Sequence, residues 1–222
     1  MTRIALIHAT SAAINPVIAA FSTDWPEPDL VNILDDSLSR DRTLEPGIGP
    51  AMHKRFEVLG EYALSLDADA ILFTCSAFGP AIERVAAKLG IPVLKPNEAM
   101  FAEAMAKGRR IGMLATFEPT ITSLEAEFAA EARKAYAPAS LHSVLVSGAA
   151  AALQAGDRDR HDALIAEAAE TLVDCDAVML AQFSMAPAAS LVRERLSVPV
   201  LTSPSSAVVA LKRRIASRQK IT

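Results

Sequence analysis

"DADAILFTCSAFGPAIERVAAKLGIPVLKP" (67–96) and "DCDAVMLAQFSMAPAASLVRERLSVPVLTS" (174–203) align without a gap at an offset of 107 residues. Asp67 falls on Asp174, Asp69 on Asp176, Pro80 on Pro187, Leu89 on Leu196 and Pro92 on Pro199. The same offset lays RIALI (3–7) over RIGML (110–114). Self-similarity at a fixed offset is the mark of a duplicated structural unit. The chain therefore reads as two equivalent halves laid end to end.

Within each half, short apolar runs alternate with stretches of helical spacing. IALIHA, LVNIL, AILFT and IPVL read as strands in the first half, separated by helices starting at NPVIAAF, IGPAMHKRFEVLGEYALSL and PAIERVAAKLG. IGMLAT, LHSVLV, AVMLA and VPVL are their counterparts in the second, with PTITSLEAEFAAEARKA, HDALIAEAAETLV and PAASLVRERL as helices. Such alternation implies an α/β fold of parallel sheets with helical crossovers. The expectation is two pseudo-symmetric parallel-sheet α/β halves related by a pseudo-twofold axis. Residues 1–97 with 203–222 form one half and residues 98–202 the other.

The composition narrows the function classes. A net charge of −4, with both signs scattered through 222 residues, argues against nucleic acid or anionic lipid as a partner. The one basic cluster, LKRRIASRQK (211–220), reads as cations facing the negative end of a C-terminal helix. No stretch approaches the ~20 apolar residues of a membrane span. MTRIALIHAT lacks the long apolar region of a signal peptide. Two cysteines outside any CxxC pair form no disulfide framework, so a reduced, cytoplasmic chain is expected. His53, His142 and His161 show no metal-ligand spacing, and no GxGxxG follows a strand, so neither metal nor nucleotide is expected.

Chemistry then centres on Cys75. In parallel α/β sheets ligands bind beyond the carboxyl ends of the strands, and Cys75 ends AILFT just before a helix start. Backbone N–H groups of Ser76, Ala77 and Phe78 would point toward an anion there and favour the thiolate. The competing reading is a small buried hydrophobe.

"FTCSAFGPAIE" (73–83), "GMLATFEPT" (112–120) and the repeat together resemble the aspartate/glutamate/hydantoin racemase superfamily. The resemblance covers essentially the whole chain. It implies two α/β halves with a site in the cleft between them, and cofactor-free chemistry at the carbon α to a carboxylate. In that superfamily one cysteine from each half generally moves the proton. This chain departs from the pattern, because the repeat maps Cys75 onto Gln182. Cys175 lies before the strand AVMLA, about 20 Å from the strand's far end at ~3.3 Å per residue, and reads as structural. The one-cysteine arrangement is similar in logic to arylmalonate decarboxylase, where a single thiol protonates an enediolate.

The resemblance implies that Thr116 and Thr120 bind the substrate carboxylate, with helix capping by Thr116 as the alternative. Gln182 and Ser184 are the polar groups nearest the second equivalent position. Ser11 reads as an anion contact or a helix cap. His8 ends its strand and reads either as a group tuning the thiol or as a satisfied structural histidine. The segment DDSLSRDRTLEPGIGP (35–50) reads as a polar loop offering Arg40 and Arg42 to an anion, or as a solvated connection.

The expected function is a cofactor-independent racemase-like enzyme acting on a small carboxylate, with Cys75 as proton donor or acceptor. A malonate-type decarboxylase and a non-catalytic carboxylate binder are the alternatives, and a homo-oligomeric state is left open. A serine hydrolase built on Ser184 lacks the small flanking residues of a nucleophile elbow, since Gln182 and Ala186 stand there.

Overall fold

The computed structural model describes residues 1–44 and 47–219. Residues 45–46 of the polar segment and the Lys220 end of the basic stretch lie outside the described residues. The chain forms two compact units, Met1–Pro96 with Ala207–Thr222, and Asn97–Ser206.

In the first unit the order is β1 (Arg3–His8), α1 (Ile14–Asp24), β2 (Asp29–Leu34), α2 (Ser37–Leu44), α3 (Pro50–Ser65), β3 (Ala70–Phe73), α4 (Gly79–Lys88) and β4 (Val93–Leu94). The second runs α5 (Glu98–Lys107), β5 (Arg110–Ala115), α6 (Glu118–Lys134), β6 (Ser140–Leu145), α7 (Ala149–Gln154), α8 (Arg158–Ala169), β7 (Ala177–Leu180), α9 (Ala189–Arg195) and β8 (Val200–Thr202). A last helix, α10 (Ser203–Gln219), begins in the second unit and continues in the first. Each unit holds one four-stranded parallel sheet, ordered β2-β1-β3-β4 and β6-β5-β7-β8.

The repeat is legible in individual hydrogen bonds. Ile4 pairs with Ala70 as Ile111 pairs with Ala177. The Ile71 N–H reaches the Pro92 carbonyl, and the Val178 N–H the Pro199 carbonyl, each at 2.9 Å. Asp69 Oδ2 accepts from the Arg3 N–H at 2.8 Å, and Asp176 Oδ2 accepts from the Arg110 N–H at the same distance. The coincident aspartates and prolines of the two copies are thus the residues that set strand pairing. The Arg110 and Arg109 N–H groups hold the Asp176 carboxyl below the usual carboxylate range, although burial pushes the other way.

The central strands are apolar because both faces are covered. β3 and β7 are buried at every residue, whereas the edge strands β2 and β6 are only partly covered. In the second unit, successive β5 side chains point to opposite faces. Leu114 packs with Ile165, Ala166, Ala188 and Val192 on one side, and Ile111 and Met113 with Phe101, Leu124 and Phe128 on the other. In the first, Phe56 of α3 stacks on Phe73 at 5.3 Å and lies 4.9 Å from Phe78, closing the core under the end of β3.

Three helices went unread in the sequence. α2 replaces much of the expected polar loop, because Asp35 accepts from the Ser37 N–H at 3.3 Å and from its hydroxyl at 2.7 Å, starting a helix. α5 and α7 lie outside the segments that repeat.

Candidate active site

Cys75 follows β3 at the carboxyl edge of the first sheet. It precedes a single 3-10 turn, Ser76–Phe78, and its backbone is extended (φ −120, ψ 123). The residue is half-buried and its thiol is free. Burial pushes the thiol up from its ordinary pKa, and the Ala77 N–H directed at it offsets only part of that. This corrects the expectation of a favoured thiolate. Cys75 packs against the apolar core cluster of the first unit, so desolvation outweighs the one N–H donor. Burial thus favours the thiol over the thiolate.

Beneath it, His8 is fully buried. Its Nδ1 lies 2.9 Å from Thr74 Oγ1 and its Nε2 2.9 Å from Asn32 Oδ1. With the Asn32 oxygen accepting, Nε2 carries the hydrogen and Nδ1 accepts from the Thr74 hydroxyl. Burial drives its pKa below the ordinary value, against the pull of Asn32. His8 is a neutral, satisfied interior residue and does not act as a base at the rim. Its role is to tie β1 to the residue preceding Cys75.

Other expected contacts in this unit are dispersed. Ser76 and Ala77 are half-buried beside Cys75. Ser11 is exposed in a 3-10 turn whose cap is Thr10, not Ser11. Arg40 is exposed, with Asp41 at 4.0 Å, and Arg42 is half-buried on the same helix. The cation that organises this region is Arg55, which the sequence reading missed. Its Nε and Nη2 grip both Asp35 oxygens at 2.7 and 2.6 Å, and Nη1 holds Asp41 at 2.6 Å. Burial raises the Asp35 pKa, but the Ser37 and Arg55 hydrogen bonds win and hold it low. No sequence spacing signals this clasp, since α3 approaches α2 only through the fold.

In the second unit, Gln182 occupies the place equivalent to Cys75, with the same extended backbone (φ −124, ψ 144), and precedes the turn Phe183–Ala188. Its Oε1 accepts from the Thr116 N–H at 2.7 Å and from the Thr116 hydroxyl at 3.0 Å. Both Thr116 donors expected for substrate are therefore engaged by the protein itself, and Thr116 is buried. Thr120 is half-buried in the first turn of α6, and Ser184 is half-buried in the turn after Gln182. Cys175 is buried before β7 at the opposite end of the strand, packed with Leu172 and Val178. Burial raises its pKa as well. Its placement agrees with a structural cysteine.

Two grooves of about 550 and 260 Å³ are lined by Arg133, Tyr136 and Pro138, and by Lys107, Arg109 and Pro138. They lie where β5 and β6 begin, away from the edge that carries Thr116 and Gln182. Among the described residues no group of three or more His, Cys, Asp or Glu is placed to hold a metal ion. No helix among them is long and apolar enough to cross a membrane.

Comparison with known proteins places this arrangement. Residues 6–211 match the family described as Asp/Glu/Hydantoin racemase. The chain belongs to that family. The solved structures it resembles include racemases and a decarboxylase. Allantoin racemase from Klebsiella pneumoniae superposes with a TM-score of 0.76 at 16% identity, covering 98% of this chain and 89% of that one. A glutamate racemase from Bacillus anthracis gives 0.72 at 16% identity, covering 98% and 82%. Unliganded arylmalonate decarboxylase gives 0.67 at 17% identity, covering 97% and 93%. At these identities the likeness is one of fold. Curated proteins show no significant match to the chain.

Proposed function

We propose that the protein is a cofactor-independent, racemase-like enzyme that moves a proton at the carbon α to the carboxylate of a small acid, with Cys75 as the proton donor or acceptor. The observation that carries this reading is the Cys75 thiol. It follows a central strand at the edge where parallel sheets bind ligands, and burial raises its pKa. When an α-carbanion forms, its charge delocalises into the carboxylate as an enediolate. The Cys75 S–H bond then breaks, the new C–H bond forms, and the thiolate regains its proton from water. Run in reverse, the thiolate removes the α-proton. Oriented donors for the enediolate oxygens complete such a step.

A second reading, a malonate-type decarboxylase, is favoured by Gln182. The place equivalent to Cys75 holds an amide, which carries no transferable proton near neutral pH. Loss of carbon dioxide from a malonate leaves the same enediolate and needs only one acid. Both readings take a small carboxylate as partner, and neither invokes nucleic acid or membrane. Two unpaired cysteines fit a reducing cytoplasm.

The test incubates native protein and Cys75→Ser with aspartate, glutamate, allantoin and phenylmalonate in deuterated water. Turnover or α-deuteration in the native protein that is lost in the variant is the expected result. Activity retained by Cys75→Ser overturns the assignment. No turnover on any small acid, with native Cys75 no more reactive to iodoacetamide than Cys175, would make the chain a binder.

A further inference from the structure

The second unit holds a polar pair that the proton step does not use. Gln182 Oε1 receives two hydrogen bonds from one residue, the Thr116 N–H at 2.7 Å and the Thr116 hydroxyl at 3.0 Å. A carbonyl oxygen has two lone pairs, and both are filled. Rotating the amide by half a turn would set its NH2 group against the Thr116 N–H, donor against donor, so its orientation is fixed. The NH2 group must then point away from Thr116. Gln182 is half-buried and Thr116 is buried, so the protected end of the amide is its oxygen. No hydrogen bond to that NH2 group is present among the described residues.

We infer that Gln182, held by Thr116, is the fixed hydrogen-bond donor for a carboxylate or carbonyl oxygen of the substrate, and that it selects acids presenting an oxygen rather than an ammonium group at that position. Thr116 is the positioning residue and does not itself touch substrate. The inference rests on the proposed proton chemistry for its location, because Gln182 stands where the repeat places the counterpart of Cys75. The physical basis is independent of that chemistry. A preoriented amide spends little entropy on binding, and its two N–H groups match a carboxylate edge. An ammonium group there would face two donors and find no acceptor.

The test uses malonate as the probe and the side-chain amide resonances of Gln182, assigned by their disappearance in Gln182→Leu. Malonate is expected to shift both NH2 resonances, in the native protein and equally in Cys75→Ala. Gln182→Glu, whose free oxygen would repel an anion, should weaken malonate binding about tenfold or more. Thr116→Val, which removes the hydroxyl, should weaken it less and broaden the amide resonances, and Thr116→Ser should restore both. In turnover, Thr116→Val should raise KM more than it lowers kcat. Gln182 resonances that stay unmoved by malonate overturn the inference, even where malonate protects Cys75 from alkylation and so leaves the proton-donor reading standing. Shifted Gln182 resonances beside full activity in Cys75→Ser would uphold this inference and remove the other reading.

Discussion

The two units join the ends of the same pair of strands with a polar bond, but one residue apart. In the first unit the pair is His8 with Thr74, and in the second it is Thr116 with Gln182, each separated by 66 residues in sequence. The positions equivalent to His8 and Thr74 are Ala115 and Ala181, both buried and apolar. Those equivalent to Thr116 and Gln182 are Ala9 and Cys75. Successive residues of an extended chain point to opposite faces, so a slip of one residue changes what the pair is for. In the first unit it is sunk into the interior and Cys75 is left at the edge with a free thiol. In the second it reaches the edge and takes the thiol's place. Equivalent positions of the two sheets hold a free thiol in one copy and a clamped amide in the other.

The largest expected effect breaks the comparison at the acid. Cys75→Ala should lower turnover by ~10²–10⁴, the usual cost of removing an acid/base group, whereas Gln182→Ala should cost only about tenfold, mainly in KM. Equal losses in kcat would mean that Gln182 takes part in proton transfer. Next in size is the buried pair. Thr74→Val leaves the His8 Nδ1 lone pair without a donor and should destabilise the protein by about 1–3 kcal/mol in urea unfolding. Thr116→Val, whose hydroxyl bonds the half-buried Gln182, should cost about 1 kcal/mol or less.

A smaller effect follows from pH. His8 has its folded pKa depressed by burial, so below its unfolded value of about 6.5 the unfolded chain takes up a proton that the native state resists. This contribution to stability is complete above that pH and is lost as pH falls through it toward the folded value. His8→Gln should remove that part of the acid destabilisation while lowering stability at neutral pH. An unchanged slope of stability with pH between 6.5 and 5 would contradict a neutral His8.

Much of the fold was legible because the repeat and the apolar periodicity report the same central strands. Asp69 and Asp176, Pro92 and Pro199 coincide in sequence and make matching backbone hydrogen bonds in the structure. α2 was hidden because its sequence, SLSRDRTL, is polar, and its fixing partner Arg55 comes from another helix. The position of Cys75 was legible, and the direction of its pKa was not. That direction depends on burial against the core cluster of the first unit, which only tertiary packing assembles. Thr116 and Gln182 were both singled out, but as separate substrate contacts. Their mutual bond follows from strand register, since Leu114 pairs with Leu180 and two further residues bring them side by side.

The asymmetry of the two edges is tested most directly by the stereochemistry of protonation. Native protein and Gln182→Cys are incubated in deuterated water with 2-methyl-2-phenylmalonate and with each enantiomer of its monoacid product, 2-phenylpropanoate, and the products are resolved on a chiral column. With one acid, the native protein should deliver deuterium to a single enantiomer, and Gln182→Cys should spread it into both. Equal deuteration of both enantiomers by the native protein would show a second acid and contradict the account.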